Sequence, residues 1–562
     1  MAPYDYIVVG GGAAGCVLAH RLSARRATRV VLIEAGRDTP PGAEPAEIRD
    51  VQARAVYFPQ HLWPDLEVTR VAPRDGGQPR LHPYEQGQVM GGGTSVNAMI
   101  AMRGHPLDLD EWADLGAAGW GWRDVLPYYC KLERDADFEG QEHGRHGRIP
   151  VRRTPREQWP GFTRTAAEVA RRRGYGFIAD GNADFADGLC ALARNVDATR
   201  VTAAMAYLDA ETRRRPNLDI LPEAMVERLL TEQGRVVGVR ARRGNEIIEL
   251  RAREVVVSAG AIQSPALLMR SGIGPGDTLR RIGIEVVADR PGVGQNLHEH
   301  PIIGIAAHIE PAARAPAGQR HHANAGLRYS SDLPGAPPHD MFLFMHSRFG
   351  WHPLGRRLGM LLVAVYKPLS RGWLRLRSAD PREAPDICLN LLAVPLDLER
   401  LKAGMRLAYA FYQAPELRPL WNNLLLASYS PRIRALNRFS RLNGIKSGLL
   451  SFLLDSNKVL RDALVRGLMS EGRSVPGVIA DDAELEAWIR DAVYGCWHIG
   501  GTCRMGAPGD PSTVVDPGGR VIGVEGLRVA DASIMPTSIR ANTNLTTIMI
   551  GEKIADTILA GG

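Results

Sequence analysis

The sequence predicts an α/β fold with a nucleotide site near its N-terminal end, and if the glycine motifs at the two ends do one job, the fold must bring them together. Three observations carry this expectation. "YDYIVVGGGAAGCVLAHRLSA" near the N-terminus reads as strand, glycine turn and helix. A second glycine cluster follows in "YEQGQVMGGGTSVNAMIAMRG", Tyr84 to Gly104. A third, "YGCWHIGGTCRMG", Tyr494 to Gly506, encloses a histidine almost at the other end.

The bulk numbers agree with a large globular chain. At 562 residues, 45% apolar and 23% charged, it can bury a sizeable core over several domains. Its formal charge of +7 comes from 63 Arg and only 6 Lys. That is a bias toward Arg, not a basic tract interleaved with aromatics, so no nucleic-acid partner is expected. None of the six cysteines forms a C-x-x-C pair, which leaves no expected metal site or redox disulfide. The start "MAPYDYIVVGGG" runs straight into a strand, and no apolar run could span a bilayer, so the expected location is cytoplasmic.

The first motif is specific because of its flanks. Tyr6 to Val9 are strand formers, and Gly10, Gly12 and Gly15 form G-x-G-x-x-G. Ala13 and Ala14 open a helix continued by Val17, Leu18 and Leu22. The strand "RVVLIEAG" ends in Glu34, 19 residues after Gly15, followed by Ala35. The glycines let backbone approach a pyrophosphate at a helix start, and the acid can accept hydrogen bonds from ribose hydroxyls. An acid there favours NAD or FAD over NADP. In the second cluster Gly91, Gly92, Thr94, Asn97 and Ala98 could bring backbone N–H groups against a phosphate or a second flat ring. A plain flexible loop is the alternative.

Four blocks together resemble the glucose–methanol–choline (GMC) flavin oxidoreductases along essentially the whole chain. They are "GGGAAG…EAG", "GGGTSVN", "SAGAIQSPALLMRSGIGP" and "WHIGGTCRMG…VADASIMPTSIRANTNLTTIMIGEKIAD". "GRIPV", "ADRPGVGQNL", "KPLSRGWLRL" and the Trp-His pair are similar to the 5-hydroxymethylfurfural oxidase-like branch, which acts on aryl and other primary alcohols. The resemblance implies a GMC fold, FAD as cofactor, and a small alcohol plus O₂ or a quinone-type acceptor as partners. Members with covalent flavin carry histidine where this chain has Val96, so the expectation is non-covalent FAD. Gln88 stands where a basic residue is common.

By the same resemblance His498 is the catalytic base and Asn542 its active-site companion. Neutral imidazole suits proton abstraction from an alcohol, and an amide can hydrogen-bond the substrate oxygen. "NTNLTTIMIGEKIADTIL" reads as a helix with Leu545, Ile548, Met549, Ile554 and Ile558 on one side, capped by Asn542 or Thr543. Its positive end would face the flavin. The resemblance places Ala259, Asp531, Ala532 and Thr543 against the cofactor and Val226 at its adenine. It places Trp497 and Val365 in the substrate pocket.

The expected FAD domain spans 1–154, 216–299 and 491–562, and the substrate domain 155–215 and 300–490. "GIAAHI" and "GWLRLRS" should be strands of a sheet roofing the flavin. Residues 431–473 carry nine basic and three acidic side chains among many apolar ones. This insert reads as a peripheral membrane contact, a frame for an apolar entrance, or an ordinary hairpin or dimer contact; the oligomeric state is open. Rival functions are choline or aliphatic alcohol dehydrogenation and, in another class, non-redox cyanohydrin cleavage. Residues 320–370 show no aromatic or carboxylate cage for a quaternary ammonium.

Overall fold

The computed structural model describes residues 3–73, 77–469 and 472–561. The β-rich segment Tyr4–Val9 lies at the centre of a seven-stranded sheet, its last four residues buried. It pairs in parallel with Val30–Ile33 on one side and with the end of Glu246–Val257 on the other. Strands buried on both faces have no polar alternation, which is why "VVLI" and the closing "VVV" read as unbroken apolar runs. The front half of Glu246–Val257 instead pairs antiparallel with Arg235–Arg243, which pairs with Met225–Glu232.

The late segment Leu527–Val529 adds in parallel to Glu246–Val257, bringing the chain's two ends into one sheet. The C-terminal helix Thr543–Leu559 then packs on the glycine-turn helix Ala13–Leu22. Their approach is close: a Cβ on Gly551 would lie 3.0 Å from Ala14 Cα. Leu545, Ile548, Met549, Ile554 and Ile558 are all buried. Each fully buried aliphatic side chain of this size contributes about 1.5–3 kcal/mol.

The roof is an eight-stranded sheet. Its order runs Trp421–Ala427, Pro301–Ile309, Leu358–Val365, Met341–His346, Ala323–Tyr329, Gly188–Ala191 and Phe177–Ile178. Tyr494–Gly495, just before the late histidine, pairs with Pro301–Ile309. "GIAAHI" lies in the roof as expected. "GWLRLRS" does not. Trp373–Arg375 belongs to a separate four-stranded sheet with Asp386–Cys388, Glu67–Thr69 and Leu81–Pro83. Alternation identified the strand but carries no information on its partner.

The basic insert forms three helices, Pro431–Asn437, Arg441–Ser456 and Lys458–Leu464. Residues 470 and 471 of it lie outside the described residues. Among the described residues all six cysteines are free, and no helix is long and apolar enough to cross a membrane.

Candidate active site

A cavity of about 440 Å³ runs between the two sheets, within the usual range for small-molecule sites. One end is the glycine turn. Gly10 has φ +98°, and a Cβ there would lie 2.6 Å from the Ser258 carbonyl oxygen. A Cβ on Gly92 (φ +51°) would lie 2.9 Å from Gly12 Cα. Three chain regions therefore meet backbone to backbone, leaving a cradle without side chains, as an extended dinucleotide requires. Glu34 is buried beneath it and accepts from the N–H groups of Gly11 and Gly36, both at 2.7 Å. Burial pushes its carboxyl up to about 7, against the pull of those two donors.

Of the residues expected at the cofactor, Gly10, Gly12, Ala13, Ala14, Glu34, Ala35, Gly92, Thr94, Asn97, Ala98, Val226, Ala259, Asp531, Ala532, Asn542 and Thr543 line the cavity. Gly15 and Gly91 stand behind the wall. A Cβ on Gly15 would collide with Gly10 O, and Gly91 donates its N–H to Gly11 O at 2.7 Å. Asp531 braces this end by accepting from Gly260 N at 2.9 Å and Ser264 Oγ at 2.5 Å.

The other end holds the late histidine. His498 Nε2 is 3.0 Å from Asn542 Nδ2, and Asn542 Oδ1 accepts from Tyr366 OH at 3.2 Å. His498 Nδ1 is 2.8 Å from His300 Nδ1, and His300 Nε2 is 2.7 Å from Ser538 Oγ. Because Tyr366 donates to the amide oxygen, the amide N–H₂ must face the imidazole. That assigns the lone pair to His498 Nε2 and the proton to Nδ1, with His300 Nδ1 accepting. Burial, reinforced by neighbouring His300, holds His498 well below the usual histidine range. Burial likewise lowers His300 to about 3. His498 is thus neutral, with its basic nitrogen aimed at the cavity.

The glycines after His498 now have a reason. Cβ atoms on Gly500 and Gly501 would lie 2.6 Å and 2.5 Å from ring atoms of buried His298, and Gly501 has φ +84°. Trp497 also has positive φ, +61°, a conformation costing about 1–3 kcal/mol in a non-glycine residue. Glu299 holds it there. Both carboxylate oxygens of Glu299 accept from His498 N at 2.9 Å, Oε1 accepts from His300 N at 2.7 Å, and Tyr84 OH donates to Oε2. Trp497 Nε1 donates to Glu85 at 3.0 Å, which fixes the indole against the cavity.

Two expectations need correction. Val365 is fully buried but lies outside the cavity wall. Along its strand, Leu362 faces the cavity and Tyr366 reaches Asn542, whereas Val363 meets the helix Pro395–Tyr412 at Gly404. The period of two puts Val365 on that helix-facing side. Asn542 stands at the N-cap position of the C-terminal helix, but its side chain makes no capping bond. It is diverted to His498 and Tyr366, so the first-turn N–H groups remain directed at the cavity end lined by Thr543 and Asn544.

Sequence reasoning missed His300, Glu299, Tyr84, Tyr366 and Ser538. It placed Trp497 in the pocket but missed Tyr429 and Tyr494, which complete an aromatic wall with it, the ring centroids 5.5–6.0 Å apart. The available signal was "HEH" at 298–300, three ionisable residues directly before the apolar strand Pro301–Ile309.

Sequence profiles of the GMC oxidoreductase family match residues 4–302 and 368–551. A 5-(hydroxymethyl)furfural oxidase of Methylovorus sp. (strain MP688) is 44% identical over 99% of this chain and 98% of its own. An oxygen-dependent choline dehydrogenase of Sinorhizobium medicae is 32% identical over 99% and 95%. Among solved structures, pyridoxine 4-oxidase from Mesorbium loti superposes with a TM-score of 0.81 at 28% identity, covering 99% of both chains.

Proposed function

Since the chain belongs to the GMC oxidoreductase family of FAD-dependent enzymes acting on CH–OH donors, we propose that it oxidises a primary aryl or furanic alcohol to the aldehyde. The observation that carries this reading is that His498, its Nε2 3.0 Å from Asn542 Nδ2, lines the same cavity as the glycine cradle. FAD held there would supply the hydride acceptor for the carbinol carbon and the two-electron link to O₂ or a quinone-type acceptor.

The residues do the rest. The alcohol O–H displaces the amide N–H₂ as the partner of His498 Nε2, which takes the proton. Asn542 then donates to the substrate oxygen. The positive charge that develops on the imidazole is shared through Nδ1–H with His300, which is held by Ser538. The desolvated site strengthens each of these bonds. Gly10, Gly12, Glu34, Ala259 and Asp531 would hold the nucleotide and phosphates, and Asn97, Ala98 and Thr543 the ring system. Val96 offers no nucleophile, which supports non-covalent FAD.

The aromatic wall supports a flat substrate. It also recommends a second reading, a quaternary ammonium such as choline, because Glu85 lies beside it. Charge argues against that reading. Glu85 is already paired with Arg434 at 2.7 Å, and the Arg434 guanidinium lies over the Tyr429 ring at 5.3 Å. The cation site is occupied from within. Anaerobic mixing with aryl, aliphatic and amino alcohols tests the reading through loss of yellow flavin absorbance. Fastest bleaching by choline, or no bleaching by any alcohol, would overturn it. Re-oxidation by O₂ or by a quinone then identifies the acceptor.

A further inference from the structure

The helix Arg441–Ser456 is folded inside out. Its inward face carries Ser447, Ser451 and Leu454, all fully buried. The two serines satisfy themselves on their own helix, Ser447 Oγ donating to Gly444 O at 3.0 Å and Ser451 Oγ to Ser447 O at 2.5 Å. A row of large apolar residues points out. Leu442 is 58% exposed, Ile445 70%, Leu449 59% and Phe452 69%, and Val459 on the next helix is 80% exposed. Steps of three, four and three residues put the first four on one stripe. Single exposed apolar residues are ordinary, but a contiguous stripe marks a contact surface.

The stripe's borders are basic. Arg441 and Lys446, both exposed, flank it at about 100° per residue. Arg438, Lys458 and Arg466 are exposed nearby. The acids described in this segment are already engaged: Asp455 binds Arg314 and Arg357, and Asp462 accepts from Asn423. What faces outward is therefore apolar at the centre and cationic at the rim, with long side chains able to reach upward around a buried centre. A soluble protein partner could cover the stripe, but the cationic rim matches the anionic headgroup layer above an acyl core.

The surface also adjoins the active-site cavity. Phe439, between the first two helices of the insert, stacks on Phe58 at 4.5 Å and donates its N–H to Tyr57 O at 3.3 Å. Tyr57 lines the cavity. Arg434 reaches Glu85 and Tyr429, two more lining residues. We propose that this helix docks the enzyme on an anionic phospholipid bilayer, placing the mouth of the cavity against the membrane surface. Apolar alcohols or a lipid-soluble electron acceptor would then pass between bilayer and cavity without crossing bulk water.

The test is co-sedimentation of the flavin-loaded protein with phosphatidylcholine vesicles with and without phosphatidylglycerol. The expected result is pelleting with the anionic vesicles only, falling as salt is raised, and lost in L449E/F452E. K446E should also lower it, while both variants keep bound flavin and turnover of a water-soluble alcohol. No pelleting, or pelleting unchanged in L449E/F452E, overturns the proposal. So does a lipid-free dimer by light scattering that L449E/F452E dissociates, since a second copy would then be the occupant.

Discussion

Asn542 holds His498 by donating from Nδ2 to Nε2 across 3.0 Å, while its own carbonyl oxygen is fixed by Tyr366. The same amide abandons its helix cap to do so. Replacing His498 by Ala should therefore leave FAD bound, because the glycine cradle is untouched. Flavin reduction by alcohol should fall by about 10²- to 10⁴-fold. Anaerobic stopped-flow reduction measures this, and unchanged reduction would refute the assignment.

Asn542→Ala removes the donor to Nε2 and to the substrate oxygen. It should lower kcat/KM by about 10- to 100-fold. Tyr366→Phe leaves the amide in place but frees it to rotate, so its loss should be smaller. If Tyr366→Phe is the more damaging of the two, the tautomer assigned here is wrong.

Burial and His300 keep His498 neutral well below its usual range. The base is competent above its folded pKa, so the acid limb of kcat/KM should fall below about pH 6.5, the unperturbed histidine value. Stability follows the same sign. His298, His300 and His498 are all depressed in the folded state. Their contribution is complete above about pH 6.5 and is lost as pH falls toward the folded values, about 3 for His300. Urea midpoints should drop between about pH 7 and about pH 5. A midpoint that rises would contradict the buried, neutral assignment.

Val96 lines the cavity where a ligating side chain would be needed for a covalent flavin. Acid or urea denaturation followed by filtration should release all of the yellow colour. Colour retained with the protein would show a linkage at some other residue.

Glu85→Gln weakens the bond from Trp497 Nε1 and breaks the pair with Arg434. The indole then loses its fixed angle without loss of the base. KM for aryl alcohols should rise by about 3- to 10-fold with kcat nearly unchanged. An equal effect on small aliphatic alcohols would separate the wall from aryl recognition.

The parts legible in the sequence were those written contiguously. The turn at Gly10–Gly15 and the run around His498 each place several constrained residues within one short segment. His300 was not legible, because it is a single residue 198 positions from His498, joined to it only by the fold, and Ser538, though inside the last quoted block, carried no sign of its histidine partner. The motif "ADRPGVGQNL" stops one residue before His298, so the resemblance passed beside the network without naming it. Val365 failed for another reason: in a strand buried on both faces, composition does not say which face a valine takes. The outward stripe on Arg441–Ser456 was visible as apolar content, but its direction required the packed helix.

The contact of Gly551 with Ala14 has a consequence for biosynthesis. The wall that completes the cofactor site is synthesised more than five hundred residues after the cradle it closes. A nascent chain therefore waits with an unfinished pocket until that stretch has been made. Such long-range closure makes the pocket a late and slow part of folding.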